Sequence, residues 1–152
     1  MASMTDQNRV NALLQAYFTS TTAFTITPGT GGGSAFTITP PYHLRLLTAQ
    51  GSNTANGTEA TGVNCPGYTA LGSTLGSQFC GAPSAGQSSN TNSVSWSATG
   101  AWATITSIEI WDTAATPLRY LQGALSANIT GVANGDTVQF AAASITANAS
   151  TW

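Results

Sequence analysis

The chain has 152 residues, the size of one domain, and carries three arginines, five carboxylates, one histidine and no lysine. So little positive charge cannot neutralise a useful number of phosphates or hold an anionic bilayer, which excludes nucleic acid and a membrane surface as partners. A hydrophobic fraction of 41% with a net charge of −2 is not the composition of a disordered chain. What remains is a neutral, hydroxyl-rich globular chain with little charge to hold copies of itself apart, and it suits a component of an assembly.

Residues 5–18 predict the one helix. Val10, Leu13, Leu14, Tyr17 and Phe18 form a single apolar stripe at helical spacing. Thr5 is placed to cap it, and Asp6 suits the positive end of its dipole. A short repeat follows: Ala23-Phe24-Thr25-Ile26-Thr27-Pro28 recurs as Ala35-Phe36-Thr37-Ile38-Thr39-Pro40 across a glycine-rich loop. Phe and Ile alternate with Thr in both copies, which predicts two half-buried strands paired as a hairpin. The loop lacks the lysine and the following helix that a phosphate cradle needs.

From Tyr42 the chain reads as all-β. Tyr42 to Thr48 predicts a strand with Tyr42, Leu44 and Leu46 on one face. Within the polar region from Gln50 to Asn92 only Tyr68-Thr69-Ala70-Leu71 looks strand-like. Val94 and Trp96 alternate with serines. Trp102 to Asp112 is the strongest strand, and its apolar residues change parity between Ile105 and Ile108, which predicts a bulge or burial on both faces. Leu118 to Leu121 predicts another strand. Asn134-Gly135 is a turn signal, with Val138 and Phe140 sharing a face beyond it, and Ser144 to Ala149 closes the set. The expected fold is an antiparallel, jelly-roll-like β-sandwich over residues 42–152, preceded by a helix-and-repeat arm over residues 1–41.

No constellation reads as a reaction centre. His43 stands in a predicted strand, and no nucleophile elbow accompanies it. Glu109 and Asp112 bracket Ile110 and Trp111, but Asp112 is expected to start a turn and Asp136 to bond backbone within its own. Cys65 and Cys80 could close a disulfide worth about 3 kcal/mol on chain entropy or stay as two free thiols, and the sequence leaves both open. Their spacing fits no zinc pattern. No catalytic residue, metal or cofactor is expected. The first residues lack the basic and apolar regions of a leader.

Residues 42–148 show an ordered set of short motifs: Leu46-Leu47-Thr48, Thr58-Glu59, Gly67-Tyr68, the strand around Trp96-Ser97, Ile108-Glu109-Ile110-Trp111-Asp112, Gly123-Ala124-Leu125 and Gly135-Asp136-Thr137. The set resembles a family of small tailed-phage virion proteins, often labelled tail fibre protein and often encoded near head genes. The resemblance implies a structural, non-enzymatic protein of the virion, assembled in the cytoplasm of a bacterial host. Scarce charge fits a capsid decoration (cement) protein outside the head, bound to the major capsid protein and to copies of itself as a homo-oligomer such as a trimer. The alternative is a tail fibre or tail-tip protein presenting aromatics to a host. A secreted carbohydrate-binding module or glycosidase fragment ranks third. With so few charges, attachment is expected to rest on apolar and hydrogen-bonded contacts. Leu14, Tyr17, Phe18, Phe24, Phe36 and Trp152 are the candidate contact residues.

Overall fold

The computed structural model describes residues 24–26, 35–69, 73–76, 84–85 and 87–148. Among these, the strands in chain order are β1 (Phe24–Ile26), β2 (Phe36–Ile38), β3 (Tyr42–Ala49), β4 (Thr58–Glu59), β5 (Ser73–Gly76), β6 (Gln87–Ser89), β7 (Val94–Ser97), β8 (Ile105–Trp111), β9 (Arg119–Ile129), β10 (Thr137–Phe140) and β11 (Thr146–Asn148). Every pairing is antiparallel. The described residues contain no helix, and the helix expected over residues 5–18 lies outside them.

The main sheet runs β4-β3-β8-β9, with β5 also pairing β3. Strand alternation puts Tyr42, Leu44 and Leu46 on one face of β3, each fully buried, and the register sets Ile110 opposite Leu44 and Ile108 opposite Leu46. Two small ribbons, β7–β10 and β6–β11, contribute Val94, Trp96, Val138 and Ala147 to the same apolar cluster. A valine such as Val94 or Val138, fully buried, contributes about 1.5–3 kcal/mol relative to exposure. An aromatic group ties the layers together. The Tyr68 ring lies 5.8 Å from Trp96 and 6.4 Å from Trp102, and Phe140 meets Trp96 edge-on at 6.3 Å.

The expected parity change in β8 is present, and both predicted causes operate. The β8–β9 register slips between Ile105 and Ser107, where Ile105 pairs Ile129 but Ser107 pairs Ala124. Ser107 and Glu109 are also buried, so both faces of β8 are covered. A second slip lies at the other end, where Ile110 pairs Leu121 but Trp111 pairs Arg119. The residue skipped is Tyr120. Without that bulge Arg119 would fall on the core face; with it, Arg119 shares the face of Glu109.

The repeat forms the expected hairpin, Phe24 opposite Ile38 and Ile26 opposite Phe36, with the Thr25 and Thr37 hydroxyls 2.8 Å apart. At the end of the repeat, Thr39 fastens the chain to the main sheet. The Thr39 carbonyl accepts from the Thr113 amide at 3.1 Å and from its hydroxyl at 3.2 Å, and the Thr39 amide donates to Asp112 Oδ2 at 3.3 Å. The Pro40–Pro41 peptide is cis.

Several expectations need correction. Tyr68 and Thr69 are not in a strand, Ala70 and Leu71 lie outside the described residues, and the strand in that region is β5. Tyr68 mimics a strand residue because its ring is buried, but its hydroxyl is used to plug a sheet edge. The predicted strand at Leu118–Leu121 is only the start of β9, which continues to Ile129. Strands β4 and β6 are too short and polar to show alternation.

Buried Asn90 replaces a strand pairing that composition could not announce. Its side chain donates to the carbonyls of Asn92 and Ala141, each at 2.8 Å, and its Oδ1 accepts from the Ile145 amide at 2.8 Å. The bond from the Ile145 amide is buried, and the other two tie the Asn90 side chain to the backbone of the flanking segments.

Candidate functional site

The face of the main sheet turned away from the apolar core carries His43, Arg45 and Leu47 from β3, opposite Trp111, Glu109 and Ser107 of β8. The loop after β3 folds over it. Glu109 is 1% exposed, and both its oxygens are engaged. Oε1 accepts from the Gly57 amide at 2.9 Å and from Arg119 at 3.0 Å, and Oε2 accepts from Trp111 Nε1 at 2.9 Å. Arg119 also donates to the carbonyls of Ala55 (2.8 Å) and Ser52 (2.6 Å), which pins the loop. Arg45 lies 4.0 Å over the Trp111 ring and 3.6 Å from Glu59.

Glu59 extends this network to the edge of β3. Tyr68 donates its hydroxyl to Glu59 Oε1 at 2.9 Å, and that hydroxyl accepts the Leu46 amide at 3.2 Å. Burial, with the Glu59 carboxylate beside it, holds the Tyr68 phenol far above its ordinary range and protonated, which the donation requires. The edge of β3 between β4 and β5 is thus closed by a side chain.

The remaining described carboxylates are committed in the same way. Asp112 Oδ1 accepts from the amides of Leu118 at 2.8 Å and Ala114 at 3.4 Å, and Tyr120 donates to its Oδ2 at 3.0 Å. It starts the turn expected of it. Asp136 Oδ2 accepts the Ala133 amide at 2.8 Å within the Asn134-Gly135 turn, also as expected. Each described charged side chain therefore has a hydrogen-bond or ion-pair partner within the fold, and of these charged residues only Asp136 is exposed. Sequence reasoning missed the inward Arg119–Glu109 and Arg45–Glu59 pairs. The available signal was Arg45 and Glu109, each flanked by buried aliphatics at its two neighbours, which places them on a second buried face.

Among the described residues, grooves open at these two places. One, about 310 Å³, lies between the core side of β8–β9 and β11 and is lined by Ile108, Ile110, Leu121, Gly123, Ile145 and Ala147, among others. The other, about 390 Å³, is shallow and runs along residues 129–139. No cluster of three or more His, Cys, Asp or Glu stands ready for a metal among the described residues. No helix among them is long and apolar enough to cross a membrane.

Of the candidate contact residues, Leu14, Tyr17, Phe18 and Trp152 lie outside the described residues. Phe24 and Phe36 lie in paired strands, Phe24 at the register position opposite Ile38 and Phe36 opposite Ile26. Cys65 is buried beside the Ala103 backbone, and burial pushes its thiol up. Cys80 lies outside the described residues. Trp96, Trp102 and Trp111 are buried, 5–7% exposed, and so form no external aromatic platform. His43 sits beside Trp111 across the strand pair, with its Nδ1 buried and unpartnered.

The motifs singled out in the sequence meet one another. Leu46, Glu59 and Tyr68 form the edge plug. Gly67 has a φ of +91° and presses its α-carbon against the Ser97 carbonyl, next to Trp96. Trp102 Nε1 donates to the Pro66 carbonyl at 2.8 Å. The Gly135 amide donates to Ala98 O at 2.9 Å, and the Ala98 amide returns a bond to Asp136 O at 2.8 Å. These residues join sheets and loops.

A protein-family model described as Podophage GP4 fiber I protein gp80 matches residues 7–148. The match begins well before Tyr42, where the motif resemblance starts, and so takes in the β1–β2 repeat as well. No curated protein and no solved structure matches the chain.

Proposed function

The chain belongs to the Podophage GP4 fiber I protein gp80 family, and from that premise we propose that it is a non-enzymatic structural protein of the virion, a decoration protein on the outside of the head. The observation that carries this reading is the internal pairing of the described charges. With Asp136 the one exposed charged residue among those described, attachment rests on desolvated apolar side chains and neutral hydrogen bonds, since exposed ion pairs are worth only about 0–1 kcal/mol each. The fold behind it is read as an antiparallel sandwich of the jelly-roll kind, the main sheet facing the two ribbons. Its partners are the major capsid protein and copies of itself in a homo-oligomer. It binds neither nucleic acid nor membrane, and Glu109, with both oxygens engaged, offers no open position to a substrate.

The word fibre in the family description favours a second reading, a tail fibre or tail tip. Burial of Trp96, Trp102 and Trp111 supports the decoration reading over a tip that grips a host through an aromatic platform. The proposed contact residues are Leu14, Tyr17, Phe18, Phe24, Phe36 and Trp152.

Attachment to the particle should then be nearly insensitive to ionic strength, because few counterions are displaced. Phe24→Ala and Phe36→Ala should each weaken it by about 2 kcal/mol, the usual cost of truncating an aromatic anchor. Co-sedimentation of the protein with purified particles across a salt series measures both. Release by moderate salt, with the two substitutions silent, would overturn the mode of attachment.

A further inference from the structure

Among the described strands, β10 is paired on one side only, by β7. The Asp136 carbonyl accepts from the Ala98 amide at 2.8 Å on the β7 side, and the backbone of an antiparallel strand alternates from there. The amide and carbonyl of Val138 therefore face β7, while those of Thr137 and Gln139 point away from it. These four outward groups have no partner among the described residues. The shallow groove of about 390 Å³ runs along this outward side, with residues 136–139 on one wall, residues 129–132 on the other, and no residue of β7. Thr130, Gly131, Asp136, Thr137 and Gln139 are all exposed, so the groove is open.

An open strand edge has a specific complement, an extended backbone that continues the ladder. We infer that this groove takes an extended segment of another protein of the particle, paired to the outward edge of β10 and carrying a lysine or arginine against Asp136. The inference rests on the reading of the chain as a protein attached to the particle. Its choice of occupant follows from charge. Asp136 is the one exposed charged residue among those described; its Oδ2 accepts the Ala133 amide, and its Oδ1 accepts no bond from them. A second copy has little to offer this carboxylate. The chain has no lysine, and Arg45 and Arg119 are already held by Glu59 and Glu109. Backbone pairing supplies the affinity, since it reads shape rather than sequence, and the carboxylate selects the partner.

Co-sedimentation of variants with purified particles tests it. Gln139→Pro removes an outward donor and leaves the β7–β10 bonds, and an outward edge position tolerates proline. It should keep an unfolding midpoint close to that of the wild type and bind about five- to tenfold more weakly, the worth of one backbone hydrogen bond. Gln139→Ala, which keeps the amide, should bind like the wild type. Asp136→Asn keeps an acceptor for the Ala133 amide and should bind a few-fold more weakly at low salt, a difference that added salt erases. Wild-type binding by Gln139→Pro overturns the edge pairing, and wild-type binding by Asp136→Asn at low salt overturns the choice of partner. Should Gln139→Pro fail to fold, amide exchange in the wild type decides. The Thr137 and Gln139 amides should exchange fast in the free chain and slowly on the particle, and equally fast exchange in both refutes the pairing. Protection that appears when the isolated chain is concentrated places a second copy in the groove and also refutes it. Failure of the wild type to co-sediment at all is a distinct result, which overturns attachment to the particle and this pairing with it.

Discussion

Glu109→Ala is expected to destabilise the folded chain by about 3–5 kcal/mol, the usual consequence of removing one partner from a buried ion pair. The cost has three sources. Arg119, itself only 14% exposed at the side chain, loses its carboxylate. Trp111 Nε1 and the Gly57 amide lose their acceptors. The loop that Arg119 clamps through Ser52 and Ala55 loses its reason to close. Glu109→Gln keeps the volume and one acceptor oxygen, so it should cost less than the alanine. Urea unfolding of the three proteins, read by midpoint and slope, measures this. A loss under 1 kcal/mol for Glu109→Ala would mean that the pair is solvated and that the loop does not seal it.

The second large effect is expected at Gly67. Its φ of +91° excludes most side chains, and a Cβ there would overlap the Ser97 carbonyl oxygen. Gly135 provides the control within the same chain. Its φ of +92° is nearly identical, yet nothing lies within 4 Å of its absent Cβ. Gly135→Ala should therefore cost only the backbone strain, about 1–2 kcal/mol. Gly67→Ala should cost that plus the overlap, a total of about 3–4 kcal/mol, because strand β7 must move to make room. Equal losses in the two variants would show that the approach of the Gly67 turn to Ser97 is not tight.

These two sites also mark the limit of what the sequence discloses. Period-two alternation located β1, β2, β3, β7 and β10, and in β3 and β7 the alternating apolar residues lie on the core face; β8 was legible from its length and its change of parity. It failed where burial comes from something other than alternation. Tyr68 is buried as a plug and was read as a strand. Asn90 stitches two segments with a side chain, and no composition rule anticipates that. β5 carries Ser, Thr and Gly with a single Leu and so has no pattern. The Glu109 network was hidden for a different reason. A bulge at Tyr120 decides which face Arg119 takes, and bulges follow from the whole sheet. The turns, by contrast, were legible at Asp112 and Asn134-Gly135, because their geometry is set within a few residues. The motif resemblance reached the family but began at Tyr42, whereas the family match begins at residue 7 and spans the repeat as well.

The central claim is that this family member is a head decoration protein held by neutral contacts. A density map of the intact particle, with and without the protein, tests it most directly. The account predicts density for the chain on the outer surface of the head, with the β1–β2 ribbon against its neighbours and no arginine facing packaged nucleic acid. Density confined to the tail or its fibres, with a bare head, would contradict it.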